Sequence, residues 1–122
     1  MQETIFHRDA AAEYYTEERC YINELSNTAH DPAVSIAEAR VEPGVTTRWH
    51  QVLAITERYV IVSGQGTVEV GKLPPTLVQP GAVILIPPGC RQRITNTGYT
   101  DLVFLAICSP RFEQRNYRDV EA

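Results

Sequence analysis

The chain has 122 residues, 43% hydrophobic and 21% charged, with a net charge of −4. That is long enough for one domain with a real core. It excludes the basic footprint of a nucleic-acid binder, and no run approaches the roughly 18 apolar residues of a membrane span.

The first twenty residues carry Glu3, Arg8, Asp9 and Glu13, which rules out the apolar heart of a secretion signal there. Cys20, Cys90 and Cys108 are odd in number, far apart and without metal-finger spacing, as expected of reduced thiols in a cytoplasmic protein. Within a short N-terminal segment, 1–17, Asp9–Tyr15 is the one stretch that reads as helix. From there the apolar segments are short, β-branched and bounded by Gly or Pro, the signature of strands. Strands are expected near Arg19–Leu25, Val34–Val41, Thr47–Leu53, Glu57–Val62, Thr67–Val70, Val83–Ile86, Arg91–Thr95 and Leu102–Ile107. Turn signals separate them at Asp31-Pro32, Pro43-Gly44, Ser63-Gly64-Gln65-Gly66, Pro74-Pro75, Pro80-Gly81, Pro87-Pro88-Gly89 and Asn96-Thr97-Gly98. So regular a spacing implies a single all-β domain over 1–122, a closed or double-sheet architecture such as a jelly roll. The tail 111–122 is polar, with Phe112 and Tyr117 available to anchor it to the barrel. Leu102–Ile107 and Ala82–Ile86 are apolar on consecutive positions, a pattern of strands covered on both faces. A second subunit is one source of that cover, so a homodimer is expected.

Two spaced patterns carry most of the information. The first places Gly44, five residues, then His50, with Val52 two residues on, Glu57, and a closing Gly64. The second runs Gly81, five residues, Pro87-Pro88-Gly89, then Gln92 and Asn96. Together they resemble the two motifs of the cupin family, which implies an all-β fold, the double-stranded β-helix or jelly-roll barrel. In that family three histidines and a glutamate hold a divalent metal. Here His50 and Glu57 match, while Val52 and Gln92 stand at the other two histidine positions.

The resemblance therefore implies a depleted metal site of His50, Glu57 and Gln92, rounded out by water or substrate. So oxygen-rich a set favours Mn²⁺ or Fe²⁺ and leaves zinc and nickel open. The alternative is a hydrogen-bonded His–Glu–Gln cluster with no metal. Side chains alternate along a strand, so Arg48, His50 and Val52 share a face, as do Cys90, Gln92 and Ile94. Arg48 reads as a clamp for an anionic substrate or as a rim arginine. Val52 is an apolar wall. Tyr59 is a pocket wall or a core tyrosine, and Cys90 faces the cavity or is an inert core thiol. Arg19 or Glu24 would supply polar contacts at the cavity mouth if their segment is an inner strand. Trp49, Arg91 and Arg93 alternate away from the pocket.

Three functions fit this reading. The favoured one is a metal-dependent enzyme acting on a small organic molecule by dioxygenase, isomerase or lyase type chemistry, with Glu57 as a base if it is not a ligand. The alternative is a non-catalytic small-molecule-binding or sensing barrel without metal. The third is a stable barrel whose cavity is a relic.

Overall fold

The computed structural model describes residues 1–121, and its architecture is an all-β sandwich of two antiparallel sheets. The strands are β1 Tyr14–Tyr15, β2 Tyr21–Ser26, β3 Ser35–Val41, β4 His50–Val52, β5 Thr56–Ser63, β6 Gly66–Val70, β7 Thr76–Val78, β8 Val83–Ile86, β9 Gln92–Asn96, β10 Leu102–Ser109 and β11 Tyr117–Asp119. One sheet has the order β1-β2-β3-β10-β5-β8 and the other β11-β4-β9-β6-β7. Successive strands cross repeatedly between sheets, which is the jelly-roll winding of a double-stranded β-helix.

Alternation makes the core. Along β6 and β9 every second residue is buried, and β5 keeps the same rhythm up to Ile61, as expected when one face of each sheet meets the other. Val41, Ile61, Ile86, Ile94, Leu102 and Phe104 fill the space between the sheets and are almost wholly inaccessible. Each contributes about 1.5–3 kcal/mol by leaving water. On the outside of β8, Val83 and Leu85 stay exposed at 63% and 61%. The second cover expected for these consecutive apolar residues is thus not supplied by this chain.

Two sequence expectations change. The stretch Asp9–Tyr15 forms no α-helix; it is a single 3₁₀ turn, Ala10–Ala12, followed by β1. Asp9 accepts from the Ala11 amide at 3.0 Å, a local bond that closes one turn without a buried face to extend it. Strands β1, β7 and β11 were not expected, because each is short and owes its conformation to a partner strand rather than to its own apolar pattern. Among the described residues no helix is long and apolar enough to cross a membrane.

The spaced glycines and asparagine serve this frame. Asn96 donates to the carbonyls of Val41 and Thr100, both at 2.8 Å, and accepts from the Gly98 amide at 2.9 Å, tying β9, β3 and the loop between β9 and β10 together. Gly64, between β5 and β6, has φ +80°, and a Cβ there would lie 2.5 Å from the Asp101 carbonyl oxygen. Gly44 shares φ +80° but would meet nothing within 4 Å. Gly44→Ala should therefore cost only the left-handed backbone strain, about 1–2 kcal/mol. Gly64→Ala should cost clearly more in urea denaturation, because strand and loop must also move apart.

Candidate functional site

The site lies between the sheets, where β4 and β9 of one face β5 and β10 of the other. Register brings His50 opposite Gln92 as paired residues of β4 and β9. After β4, a tight connection of three residues through Ala54, in the left-handed region at φ 64°, carries the chain across to β5 and delivers Glu57. His50, Glu57 and Gln92 are all buried, at 3%, 7% and 0% exposure.

Gln92 bridges the sheets. Its amide nitrogen donates to Glu57 Oε1 at 2.8 Å, and its amide oxygen accepts from the Tyr59 hydroxyl at 2.5 Å. The Cys108 thiol, on β10, points to Glu57 Oε2 at 3.7 Å. His50 is held differently. Its Nδ1 lies 2.8 Å from the Arg48 carbonyl oxygen, which only accepts, so Nδ1 carries the proton. The Tyr117 ring stacks on the imidazole, centroids 5.4 Å apart at 23°. Nε2 is left as the acceptor nitrogen, facing Glu18 Oε2 at 3.9 Å.

Glu18 comes from the turn before β2. Arg19, at φ 73°, adopts a backbone conformation unfavourable to any residue with a Cβ. It is held there by its guanidinium on the Thr46 carbonyl at 3.0 Å and on Glu121 at 3.2 Å. The Arg48 amide donates to the Glu18 carbonyl at 3.2 Å, docking the turn onto the start of β4. The Glu18 side chain is thereby presented over His50.

A cavity of about 360 Å³ opens above these groups, within the range of small-molecule sites. Of the residues expected to line it, Val52 and Tyr59 do, together with His50 and Glu57. Gln92 lies behind the wall and acts through Glu57 and Tyr59. Arg48 and Cys90 lie outside the lining. Arg48 is the rim arginine of the two readings, bound to Asp119 at 2.6 Å and Glu121 at 3.4 Å. Cys90 packs against the core near Gly71, its thiol 3.8 Å from the Arg91 carbonyl. Arg91 and Arg93 sit over the Trp49 ring at 4.7 and 4.4 Å, away from the pocket. Glu24 lines the cavity, whereas Arg19 does not.

Sequence reasoning missed Glu18, Cys108 and Tyr117 as site residues. No spacing links them to His50 or Glu57: the register of β10 on β5 sets Cys108 opposite Glu57, and the return of both termini to the barrel brings Glu18 and Tyr117. Phe112 and Tyr117, the aromatics of the tail, both reach the cavity wall.

Burial sets the electrostatics. It raises the Glu18 carboxyl above its ordinary value, and raises Glu57 against the opposing hydrogen bond from Gln92. Tyr59 is pushed well up by the same desolvation, and the Cys20 thiol is pushed up to about 12. Cys108 also rises, so neither cavity thiol is a ready nucleophile.

These side chains, as arranged, do not fit a resident divalent ion. The Gln92 oxygen, its only useful ligand atom, is turned to the Tyr59 hydroxyl, and Gln92 does not line the cavity. Among the described residues no three His, Cys, Asp or Glu side chains gather into a metal-holding group, and no buried polar side-chain atom lacks a hydrogen-bond partner. A hydrogen-bond chain occupies the place of a coordination shell.

A model of the cupin domain matches residues 37–108. The chain belongs to the cupin family. No curated protein matches this cupin in sequence, but solved structures share its fold. A predicted oxalate decarboxylase from Thermotoga maritima superposes with TM-score 0.77 at 22% identity, over 88% of this chain and 99% of that one. The nucleoside dehydratase Pac13 of Streptomyces gives 0.76 at 17% identity, over 97% and 92%. The capsular polysaccharide assembling protein CapF from Staphylococcus aureus gives 0.76 at 22% identity, over 90% of this chain; the cupin spans only 34% of CapF. At such identities the likeness is one of fold. Glu18 and Tyr117 both fall outside the matched residues 37–108.

Two measurements follow. Restoring the two substituted positions with Val52→His and Gln92→His should produce a cupin that retains near-stoichiometric Mn or Fe through purification. Wild type prepared identically should hold far less, as read by metal mass spectrometry. The second concerns pH. A carboxyl raised in the folded state binds its proton more tightly there than in the unfolded chain, so its contribution to stability is present below about 4.5 and is lost as pH rises through the elevated folded value. Wild-type stability should thus decline across the window just above pH 4.5. Glu57→Gln should flatten part of that decline in urea melts taken at successive pH values.

Proposed function

We propose that this cupin is an enzyme that moves protons on a small organic molecule held between its sheets, in isomerase or lyase type chemistry, without a resident metal. The observation that carries the reading is the posture of His50. Its Nδ1 is spent on a backbone carbonyl and its ring is clamped by Tyr117, so an acceptor nitrogen points into the cavity with a carboxyl 3.9 Å away.

His50 Nε2 is the base that takes a proton from the substrate. Glu18 is the acid. It lines the cavity, its pKa is raised by burial, and its one nearby side-chain donor, the Cys20 thiol, stands 3.9 Å away. A carboxyl tuned upward retains a proton to return at a neighbouring atom, to carbon in an isomerisation or to a departing oxygen in an elimination. Glu57 is less suited to deliver one, because Gln92 and Cys108 already direct donors at its two oxygens. Its role is to seat the floor of the cavity with Tyr59 and Gln92. The resemblance in fold to a nucleoside dehydratase supports elimination chemistry as one branch.

The test is hydrogen–deuterium exchange and product formation by NMR in D₂O. The protein is kept in chelator and offered a panel of hydroxy-carbonyl compounds and nucleosides. Wild type should label or convert at least one compound, and His50→Gln and Glu18→Gln should each slow that by about 10²-fold or more. Turnover that chelator abolishes and Mn or Fe restores would return the site to metal chemistry. Ligands that bind with neither exchange nor product would instead establish a non-catalytic binding barrel.

A further inference from the structure

Most acidic side chains outside the cavity have found a cation. Glu13, Glu38, Glu69, Glu113 and Glu121 each pair with an arginine, as do Asp101 and Asp119. The cavity is different. Glu17, Glu18, Glu24 and Glu57 line it, and among the described residues no lysine or arginine does. Among the described residues no arginine or lysine bridges any of these four, and the nearest nitrogen of a basic side chain to Glu18 is the His50 Nε2 at 3.9 Å.

Their placement is graded. Glu17 and Glu24 are exposed at the mouth, Glu18 is half-buried, and Glu57 is buried at the floor. Between them run aromatic walls: Tyr14 and Tyr15 near the mouth, Phe112 and Tyr117 from the tail, and Tyr59 tilted against Phe104 at 4.4 Å. Ring faces attract a positive charge, and do so more strongly away from water. A cleft lined by one sign of charge with low-dielectric walls focuses its field on the opening. Burial without a counter-charge is costly to a carboxylate, which is why Glu18 and Glu57 hold their protons more tightly than exposed acids do, and a cationic guest offsets that cost. An anionic guest meets only like charge and no donor stronger than a hydroxyl, an amide, a thiol or His50.

We propose that the cavity selects a small organic cation, a quaternary or protonated amine, as its ligand. This rests on the reading that the cavity is the substrate site and adds the substrate's charge class to it. The aromatic walls surround the apolar periphery of such a cation, and the Glu17–Glu24 mouth draws it in toward Glu18.

Three probes of nearly equal shape test this: choline, its neutral isostere 3,3-dimethyl-1-butanol, and the anion 3,3-dimethylbutanoate. Each is titrated calorimetrically into the full chain at low salt, with benzylammonium and tetramethylammonium as further cations. At least one cation should bind, and choline should bind about tenfold or more tightly than the alcohol, with no binding of the anion. The double variant Glu17→Gln/Glu24→Gln should weaken every cation that binds and leave the alcohol unchanged. Glu42→Gln, an exposed carboxylate away from the cavity, should change nothing. Equal binding of choline and alcohol, binding of the anion, or failure of all three cations at millimolar concentration would each overturn the proposal. The proton-exchange assay fails separately. Exchange on neutral compounds without cation preference sinks this inference alone, and cation binding without any exchange sinks the reaction alone.

Discussion

One buried amide holds the site together. Gln92 leaves β9 in one sheet and reaches Glu57 and Tyr59 on β5 of the other, donating to the first and accepting from the second. Inside a low-dielectric barrel such bonds are strong, and leaving any of these groups unpaired would be costly. The amide satisfies both neighbours at once, which neither an apolar residue nor a bare carboxylate could do. It fixes the Glu57 carboxyl in the cavity and ties the two sheets together at the cavity floor. Everything above it, from the imidazole on the paired β4 position to the terminal segments that fold over it, is built on that tie.

The terminal segments then complete the chemistry. The cupin-matched stretch supplies His50, Glu57 and Gln92, but the groups that make His50 directional come from outside it. Glu18 arrives on a left-handed turn stabilised by Arg19 contacts to Thr46 and Glu121. Tyr117 arrives on β11, which pairs with β4 and is pinned by Arg48 to Asp119. The two ends are cross-linked, because Glu121 of the tail forms ion pairs with both Arg19 and Arg48. A residue that reads from sequence as a substrate clamp, Arg48, thus fastens the tail instead. Its charge is consumed at the rim, and among the described residues the cavity's acidic side chains have no arginine or lysine beside them in the lining.

Legibility followed the range of the interactions involved. The spacing of Gly44, His50, Glu57 and Gly64, and of Gly81 through Asn96, records hairpins and turns whose geometry is decided over a few residues. Fold and the position of the central site were therefore readable. The metal set was the natural extension of that spacing, yet whether Gln92 offers its oxygen to a cation or to Tyr59 depends on where the opposite sheet places a hydroxyl. Strands β1, β7 and β11 were invisible for a related reason: segments of two or three residues become strands only when an edge is available to accept them.

The sequence by itself determined a single all-β cupin barrel, the burial of His50, Glu57 and Gln92 near one point, and the loss of two imidazoles from the family's ligand positions. The strands and turns follow from side-chain alternation and turn chemistry, which are local, and the barrel, the convergence and the ligand positions follow from the resemblance of the two spaced motifs to those of the cupin family. Only the tertiary structure decided what those residues do together. It turned the Gln92 amide inward as a bridge, aimed His50 Nε2 at Glu18, drew Tyr117 onto the imidazole, paired most of the outer acids with arginines and, among the described residues, left the cavity's own without one. Those outcomes depend on contacts between residues far apart in the chain, whose distances are set by how two sheets and two termini pack, and no spacing along the sequence encodes them.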